Sequence, residues 1–150
     1  MRPPTGRVRA TGYRAGVTTA PPAWAPQDKI SPLDDKLGIR ITDFDPERLV
    51  ATMPVEGNEQ PYGLLHGGAT CALMETIGSW AAALSAGPEK QVVGIELNAS
   101  YLRSATSGVV TAVCTPVRRG RTLMTFLIEV SDENGKPTAS GRLTCLVKGD

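Results

Sequence analysis

The chain has 150 residues, of which 41% are hydrophobic, so it is long enough to bury the core of one domain. Its formal net charge is +1, but the first 27 residues carry four arginines and no acid, which leaves the remainder with a charge of −3. A slightly acidic domain argues against a general nucleic-acid-binding surface.

Residues 1–27 are rich in proline, arginine, threonine and glycine and show no hydrophobic periodicity. They also lack the apolar run of a secretory signal. This composition predicts a disordered N-terminal extension, or a segment upstream of the true start codon, followed by a single domain over residues 28–150. An arginine-rich tail that contacts an acidic partner is the alternative. We expect neither core residues nor site residues in the extension.

The three cysteines, Cys71, Cys114 and Cys145, are widely spaced, and the chain has one histidine, His66. This set predicts neither a zinc site nor a disulfide framework. We interpret the cysteines as reduced, small apolar residues of a cytoplasmic protein, and we expect no metal and no cofactor.

The first predicted elements are one short helix and two strands. Ser31 and Pro32 at the start and Gly38 at the end are typical of a helix. Apolar and polar residues then alternate over residues 38–45 and 48–55, which predicts a pair of strands.

A long helix is predicted from His66 to about Ala86, before Gly87 and Pro88 end it. One narrow apolar stripe runs along it, formed by Leu73, Ile77, Trp80 and Leu84. Glu75 in the middle of this apolar stretch makes a membrane span costly.

Four strands are predicted after the helix. The first puts five residues on one face by strict alternation: Val93, Ile95, Leu97, Ala99 and Tyr101. Further strands are predicted at residues 108–117, 121–130 and 138–147, with Asn134-Gly135 as a hairpin signal before the last. The four can form an antiparallel meander, and one sheet wrapped around the helix gives an α+β fold.

Glu75 has two interpretations. It lies opposite the apolar stripe, where an acidic side chain is normally solvated. However, its neighbours on that face are small, and residues 64–87 contain no second charged residue. Such a face is typical of a packed contact or a pocket floor, where desolvation would raise the pKa of Glu75 and make it a better base or nucleophile.

His66 and Gly67-Gly68 begin the long helix, where unpaired backbone N–H groups can stabilise an oxyanion. Nine positions separate His66 from Glu75, roughly two and a half turns, which places the two on opposite sides of one helix. They can serve one site if two subunits pair, so the sequence predicts a homodimer with its sites at the interface.

Residues 60–79 and 96–105, "QPYGLLHGGATCALMETIGS" and "ELNASYLRSA", closely resemble the hotdog-fold thioesterases of the PaaI type. In pattern they are nearest to the Arthrobacter kind of 4-hydroxybenzoyl-CoA thioesterase and to the 1,4-dihydroxy-2-naphthoyl-CoA thioesterases. The resemblance covers residues 33–148. It implies a hotdog fold, in which an antiparallel sheet wraps around one long central helix, and an acyl-CoA substrate.

The resemblance also implies roles for individual residues. Glu75 matches the catalytic carboxylate, acting as nucleophile or as general base, and Ser79 matches the hydroxyl that positions water or the carboxylate. Gln60, His66 and Gly67 match the groups beside the thioester carbonyl, contributed by the other subunit. The residues expected to bind substrate are Thr76, Gly68, Tyr101, Arg103, Arg119 and Arg121, with the arginines suited to the phosphates of CoA.

The predicted function is hydrolysis of an acyl-CoA thioester with an aromatic or medium-chain acyl group. A non-catalytic acyl-CoA-binding hotdog protein is the alternative, and a hotdog dehydratase is a third possibility. We expect a cytoplasmic homodimer or homotetramer with neither nucleic acid nor membrane as a partner.

Overall fold

The structure, a computed structural model, describes residues 20–25 and 31–149. It contains two helices and six strands in this part of the chain. In chain order they are α1 (Pro32–Leu37), β1 (Arg40–Asp45), β2 (Arg48–Pro54), α2 (Gly67–Ala86), β3 (Gln91–Tyr101), β4 (Val109–Arg119), β5 (Leu123–Ser131) and β6 (Pro137–Lys148). The predicted order of elements is confirmed.

The six strands form one antiparallel sheet in the order β1-β2-β4-β5-β6-β3. The Asn134-Gly135 turn joins β5 to β6, and Gly135 takes a φ of 73° that its missing Cβ allows. Strands β4 to β6 are the predicted meander. The expectation that β3 joins the same meander is wrong, because β3 pairs with β6 and forms an edge of the sheet.

A β-bulge divides β3 into two halves. The pairing with β6 shifts register between Gly94 and Glu96, so the side-chain alternation changes phase there. Leu97 and Ala99 pack against the core, whereas Val93 and Ile95 are 40% and 54% exposed. The predicted single apolar face of β3 is therefore wrong, since strict alternation does not pass through a bulge.

Helix α2 packs across the sheet and supplies much of the core. Leu73 and Ile77 of the predicted stripe are fully buried, and Trp80 and Leu84 pack beside them as half-buried residues. Part of the small-residue face is also a packed contact, because Gly78 and Ala82 are buried and a Cβ on Gly78 would lie 2.5 Å from Leu143 Cδ2 of β6. One long helix held by one antiparallel sheet is the predicted hotdog architecture.

Residues 20–25 lie within the predicted extension, and its other residues, 1–19 and 26–27, lie outside the described part of the chain, as does the prediction that they are disordered. Ala25 is 2% exposed, and its N–H donates to the Pro22 carbonyl at 2.9 Å. The expectation that residues 1–27 contain no core residue is therefore wrong at Ala25. In the described residues, no helix has the length and hydropathy needed to cross a membrane.

Candidate active site

Glu75 lies near the middle of α2 and is half-buried. The side chain of Ser79, one turn further along the helix, hydrogen-bonds to its carboxylate. Burial raises the pKa of Glu75 above its ordinary value of 4.5, and the Ser79 hydrogen bond offsets part of that rise because it stabilises the charged form. Of the two interpretations of Glu75, the partly desolvated carboxylate is the one that the structure supports.

The floor beneath Glu75 is formed by the sheet. A Cβ built on Gly94 of β3 would overlap Glu75 Oε1, so the carboxylate occupies space that only a glycine leaves open. Cys145 of β6 is the cross-strand neighbour of Gly94 and is fully buried. Burial and the nearby Glu75 charge raise the pKa of the Cys145 thiol to about 11, so it stays protonated beneath the carboxylate.

A cavity of about 350 Å³ opens beside Glu75 between α2 and α1. Its walls include Thr76, Ser79 and Trp80 of α2 and Leu33 and Asp34 of α1. The hydroxyl of Thr76 donates to Asp34 Oδ1 at 2.6 Å, which ties the two helices together. Thr76 thus borders the predicted site but already uses its proton within the chain.

His66 is the N-cap of α2. Its ring Nδ1 accepts a hydrogen bond from the Gly68 backbone N–H at 2.8 Å, and the backbone N–H of His66 donates to the Asn58 carbonyl at 2.8 Å. This cap occupies the Gly68 N–H. The Gly67 N–H, as the first of the helix, has no acceptor within α2 and can donate to a ligand.

Tyr101 covers the first turn of α2. Its hydroxyl donates to the Gly67 carbonyl at 3.0 Å and lies 3.1 Å from Cys71 Sγ. The contact with Cys71 and partial burial raise the pKa of Tyr101. A Cβ on Gly67 would lie 2.9 Å from the tyrosine ring, so the ring needs glycine at this position.

A second cavity, of about 450 Å³, brings together four of the predicted site residues: Gln60, Gly67, Tyr101 and Arg103. Gln60 Oε1 accepts the Tyr62 N–H at 2.6 Å, which orients the side-chain amide. Its Nε2 group is then the end available to donate to a carbonyl oxygen.

The two cavities share no lining residue, so one chain does not place Gln60 and Gly67 beside Glu75. His66 lies in a third cavity that adjoins the one at Glu75 through Leu33 and Ala72. His66 is the N-cap residue and its backbone is extended, so the helical angle used to predict its placement opposite Glu75 does not apply to it. Nine positions still separate the two by roughly 13 Å along the axis, too far for direct contact.

The predicted phosphate-binding arginines are dispersed within the chain. Arg103 lines the cavity at the start of α2. Arg119 lies at the other end of the helix, where it pairs with Glu47 at 2.6 Å and donates to Ser85 Oγ at 3.0 Å. Arg121 is exposed in the turn that follows β4. In a single chain the three do not form one cluster.

Sequence reasoning missed the role of Gly94, although a glycine inside a strand often marks a bulge or a close approach. It also missed Asp34 and Cys145, which carry no recognisable signal because their proximity to the site depends on packing between distant segments. In the described residues, no group of three or more His, Cys, Asp or Glu side chains could hold a metal ion.

Comparison with known proteins identifies the family. The family described as the thioesterase superfamily matches residues 62–139. The 1,4-dihydroxy-2-naphthoyl-CoA hydrolase of Escherichia coli is 45% identical over 112 residues, which are 74% of this chain and 82% of that protein.

Solved structures agree with this result. A thioesterase from Haemophilus influenzae superposes with a TM-score of 0.76 and 42% identity, covering 78% of this chain and 82% of that one. A Staphylococcus aureus thioesterase has been solved as a glutamate-to-alanine variant and as a glutamine-to-alanine variant. The glutamate variant superposes with a TM-score of 0.74 and 30% identity, covering 77% of this chain and 98% of that one. The predicted resemblance is confirmed: the chain belongs to the thioesterase superfamily and is a hotdog-fold enzyme that hydrolyses thioesters.

Proposed function

We propose that this thioesterase hydrolyses an acyl-CoA with an aromatic or medium-chain acyl group, with Glu75 as the catalytic carboxylate. The observation that carries the proposal is the setting of Glu75, a partly desolvated carboxylate that lies over Gly94 and is stabilised by the Ser79 hydroxyl. The Escherichia coli relative acts on an aromatic acyl-CoA according to its name, which supports the same substrate class here.

The reaction breaks the bond between the acyl carbon and the CoA sulfur. As general base, Glu75 takes a proton from water while the water oxygen attacks the carbonyl carbon, and the proton then passes to the departing sulfur. As nucleophile, it attacks the carbon itself, CoA leaves as the thiolate, and an anhydride forms; water then opens the anhydride to the free acid and the Glu75 carboxylate, and the proton released neutralises the thiolate. In either route negative charge develops on the carbonyl oxygen, where the Gly67 N–H and the Gln60 amide are suited to donate.

The spacing of two residues in a relative supports the pairing of Gln60 with Glu75. The Staphylococcus aureus thioesterase has been solved with a glutamine and, separately, a glutamate replaced by alanine. Those two positions stand as far apart in that chain as Gln60 and Glu75 do in this one. We therefore assign both residues to the site.

A homodimer completes the site in this proposal, because Gln60 and Gly67 line a different cavity from Glu75. The partner subunit's Gln60 and the partner subunit's Gly67 would face Glu75. Edge strand β3 supports this arrangement, since it is 11 residues long and exposes Val93 and Ile95. An exposed apolar edge of this length is a ready partner for a second strand. Two such dimers would form the predicted homotetramer.

The compartment proposed for the enzyme is the cytoplasm. All three cysteines are free thiols, and buried Cys114 and Cys145 keep raised pKa values of about 12 and about 11. Reduced thiols are the normal state in a reducing compartment.

A thiol-release assay with acetyl-, hexanoyl-, benzoyl- and 4-hydroxybenzoyl-CoA tests the proposal. We expect saturable turnover by the full chain, with higher kcat/KM for the larger acyl groups than for acetyl-CoA. Binding without release of thiol would favour the alternative of a non-catalytic acyl-CoA-binding protein. Neither binding nor release of thiol with any of the four compounds would contradict CoA thioesters as the substrate class.

A further inference from the structure

Trp24 belongs to the short N-terminal segment, residues 20–25, that precedes α1. Ala25 is buried at the end of this segment, and its N–H closes a turn within the segment onto the Pro22 carbonyl. Trp24 itself is 42% exposed, so part of its indole surface is open to a ligand.

The indole of Trp24 lines a cavity of about 260 Å³ on α2. The other walls are Ser79, Trp80 and Ala83 of α2 and Val92 of β3. Apart from the Ser79 hydroxyl, these side chains are apolar. The volume lies below the roughly 300–1,000 Å³ of a complete small-molecule site, so the cavity suits one part of a larger ligand.

This cavity continues the one at Glu75. Ser79 and Trp80 line both, so an apolar surface runs from the catalytic carboxylate along α2 towards Trp24. Trp80 is fixed in that surface, since its ring meets Phe44 edge-on at a centroid distance of 5.7 Å. Trp24 is the remaining aromatic wall, and it comes from outside residues 62–139, the part that matches the family.

We propose that Trp24 is a specificity-determining residue, whose indole contacts the acyl group where it extends from Glu75 past Ser79 into this cavity. The inference rests on the proposed function, because it takes the acyl carbonyl to lie at Glu75. An acetyl group has one carbon beyond the carbonyl, whereas a six-carbon chain or an aromatic ring extends several bonds further from it. Trp24 therefore discriminates between long and short acyl groups and leaves the chemical step unchanged.

The experiment compares Trp24→Ala with wild type in the full chain, using acetyl-CoA, hexanoyl-CoA and benzoyl-CoA. We expect kcat/KM to fall roughly tenfold on hexanoyl-CoA and benzoyl-CoA, mainly through KM, and to change less than about twofold on acetyl-CoA. Trp24→Phe keeps an aromatic wall and should restore most of the selectivity. Leu123→Ala is the matched control, since Leu123 is 44% exposed and lines neither cavity.

Two results would overturn the inference. One is a kcat/KM of Trp24→Ala that changes by the same factor on the long and short substrates, or that does not change on any of them. The other is a changed sedimentation coefficient of Trp24→Ala, which would make Trp24 an interface residue. Failure of the proposed function is distinguishable, because wild type would then release no thiol from any of the three substrates.

Discussion

The carboxylate of Glu75 lies directly over Gly94, in space that a Cβ on residue 94 would occupy. The atom it would meet is the end of a flexible side chain, so Gly94→Ala can be relieved by moving the carboxylate without moving the backbone. Because catalysis requires the reacting groups to lie within a fraction of an ångström of their productive positions, we expect kcat to fall roughly 100-fold. The free energy of unfolding should change by less than about 1 kcal/mol.

Steady-state kinetics and urea unfolding of Gly94→Ala check this prediction together. Gly135→Ala is not a suitable control, since its positive φ adds strain. Ser100→Ala, on the exposed part of β3, is suitable and should leave both measurements near wild type. Gly94→Ala with full turnover would mean that the carboxylate position beside β3 is unimportant.

Gly78 lies on α2, the helix that carries Glu75, and replacing it should reduce the stability of the fold. A Cβ there would lie 2.5 Å from Leu143 Cδ2 and 3.0 Å from Leu143 Cβ, in a fully buried contact with β6. Overpacking costs roughly 1–3 kcal/mol, and the better helix propensity of alanine returns about 1 kcal/mol of it. We expect Gly78→Ala to lower the free energy of unfolding by about 1 kcal/mol in urea titrations, and a stabilised variant would contradict the tight contact.

The pH dependence of kcat/KM should report Glu75. Since the ionised carboxylate is the active form and burial raises its pKa, the rate should fall on the acidic side with a midpoint above 4.5. The Ser79 hydrogen bond stabilises the carboxylate, so Ser79→Ala should move that midpoint further up. Ser85→Ala, whose hydroxyl donates to the Ala81 carbonyl, is the control and should leave the midpoint in place.

A midpoint at or below 4.5 in wild type would contradict the desolvated carboxylate. A downward shift in Ser79→Ala would contradict the stabilising role of its hydroxyl.

The shared site can be tested by mixing two inactive variants. Glu75→Gln and Gln60→Ala damage different halves of the site, so a dimer with one copy of each retains one intact site. After joint refolding of equal amounts, we expect about a quarter of wild-type activity. Each variant refolded alone is the control. A mixture as inactive as its components would contradict a site built from Gln60 and Glu75 of different subunits.

Local patterns predicted the elements well, and long-range pairing is where prediction failed. Caps and an apolar stripe defined α2, and the Asn134-Gly135 signal located the β5–β6 hairpin, because each depends on residues near one another in the chain. The pairing of β3 with β6 and the bulge after Gly94 depend on contacts between distant segments. Alternation alone could not reveal either.

The residues of the candidate site likewise divide into those that a sequence signal could predict and those that depend on tertiary packing. Glu75 stood out because a single carboxylate in an apolar helix is a local anomaly, and the resemblance supplied Gln60 and Ser79. Trp24 carried no signal, because composition assigned its segment to a featureless extension. Its place beside Ser79 follows from tertiary packing.

The role of Glu75 is the central claim, and kcat of Glu75→Gln on the best acyl-CoA substrate tests it most directly. The amide keeps the size of the side chain and removes its charge and basicity, so KM should change little. We expect kcat to fall at least roughly 100-fold, comparable to or beyond the loss of one oxyanion donor. Glu89→Gln, an exposed carboxylate beyond the end of α2, is the matched control and should keep wild-type turnover. A Glu75→Gln enzyme with near wild-type kcat would contradict the mechanism.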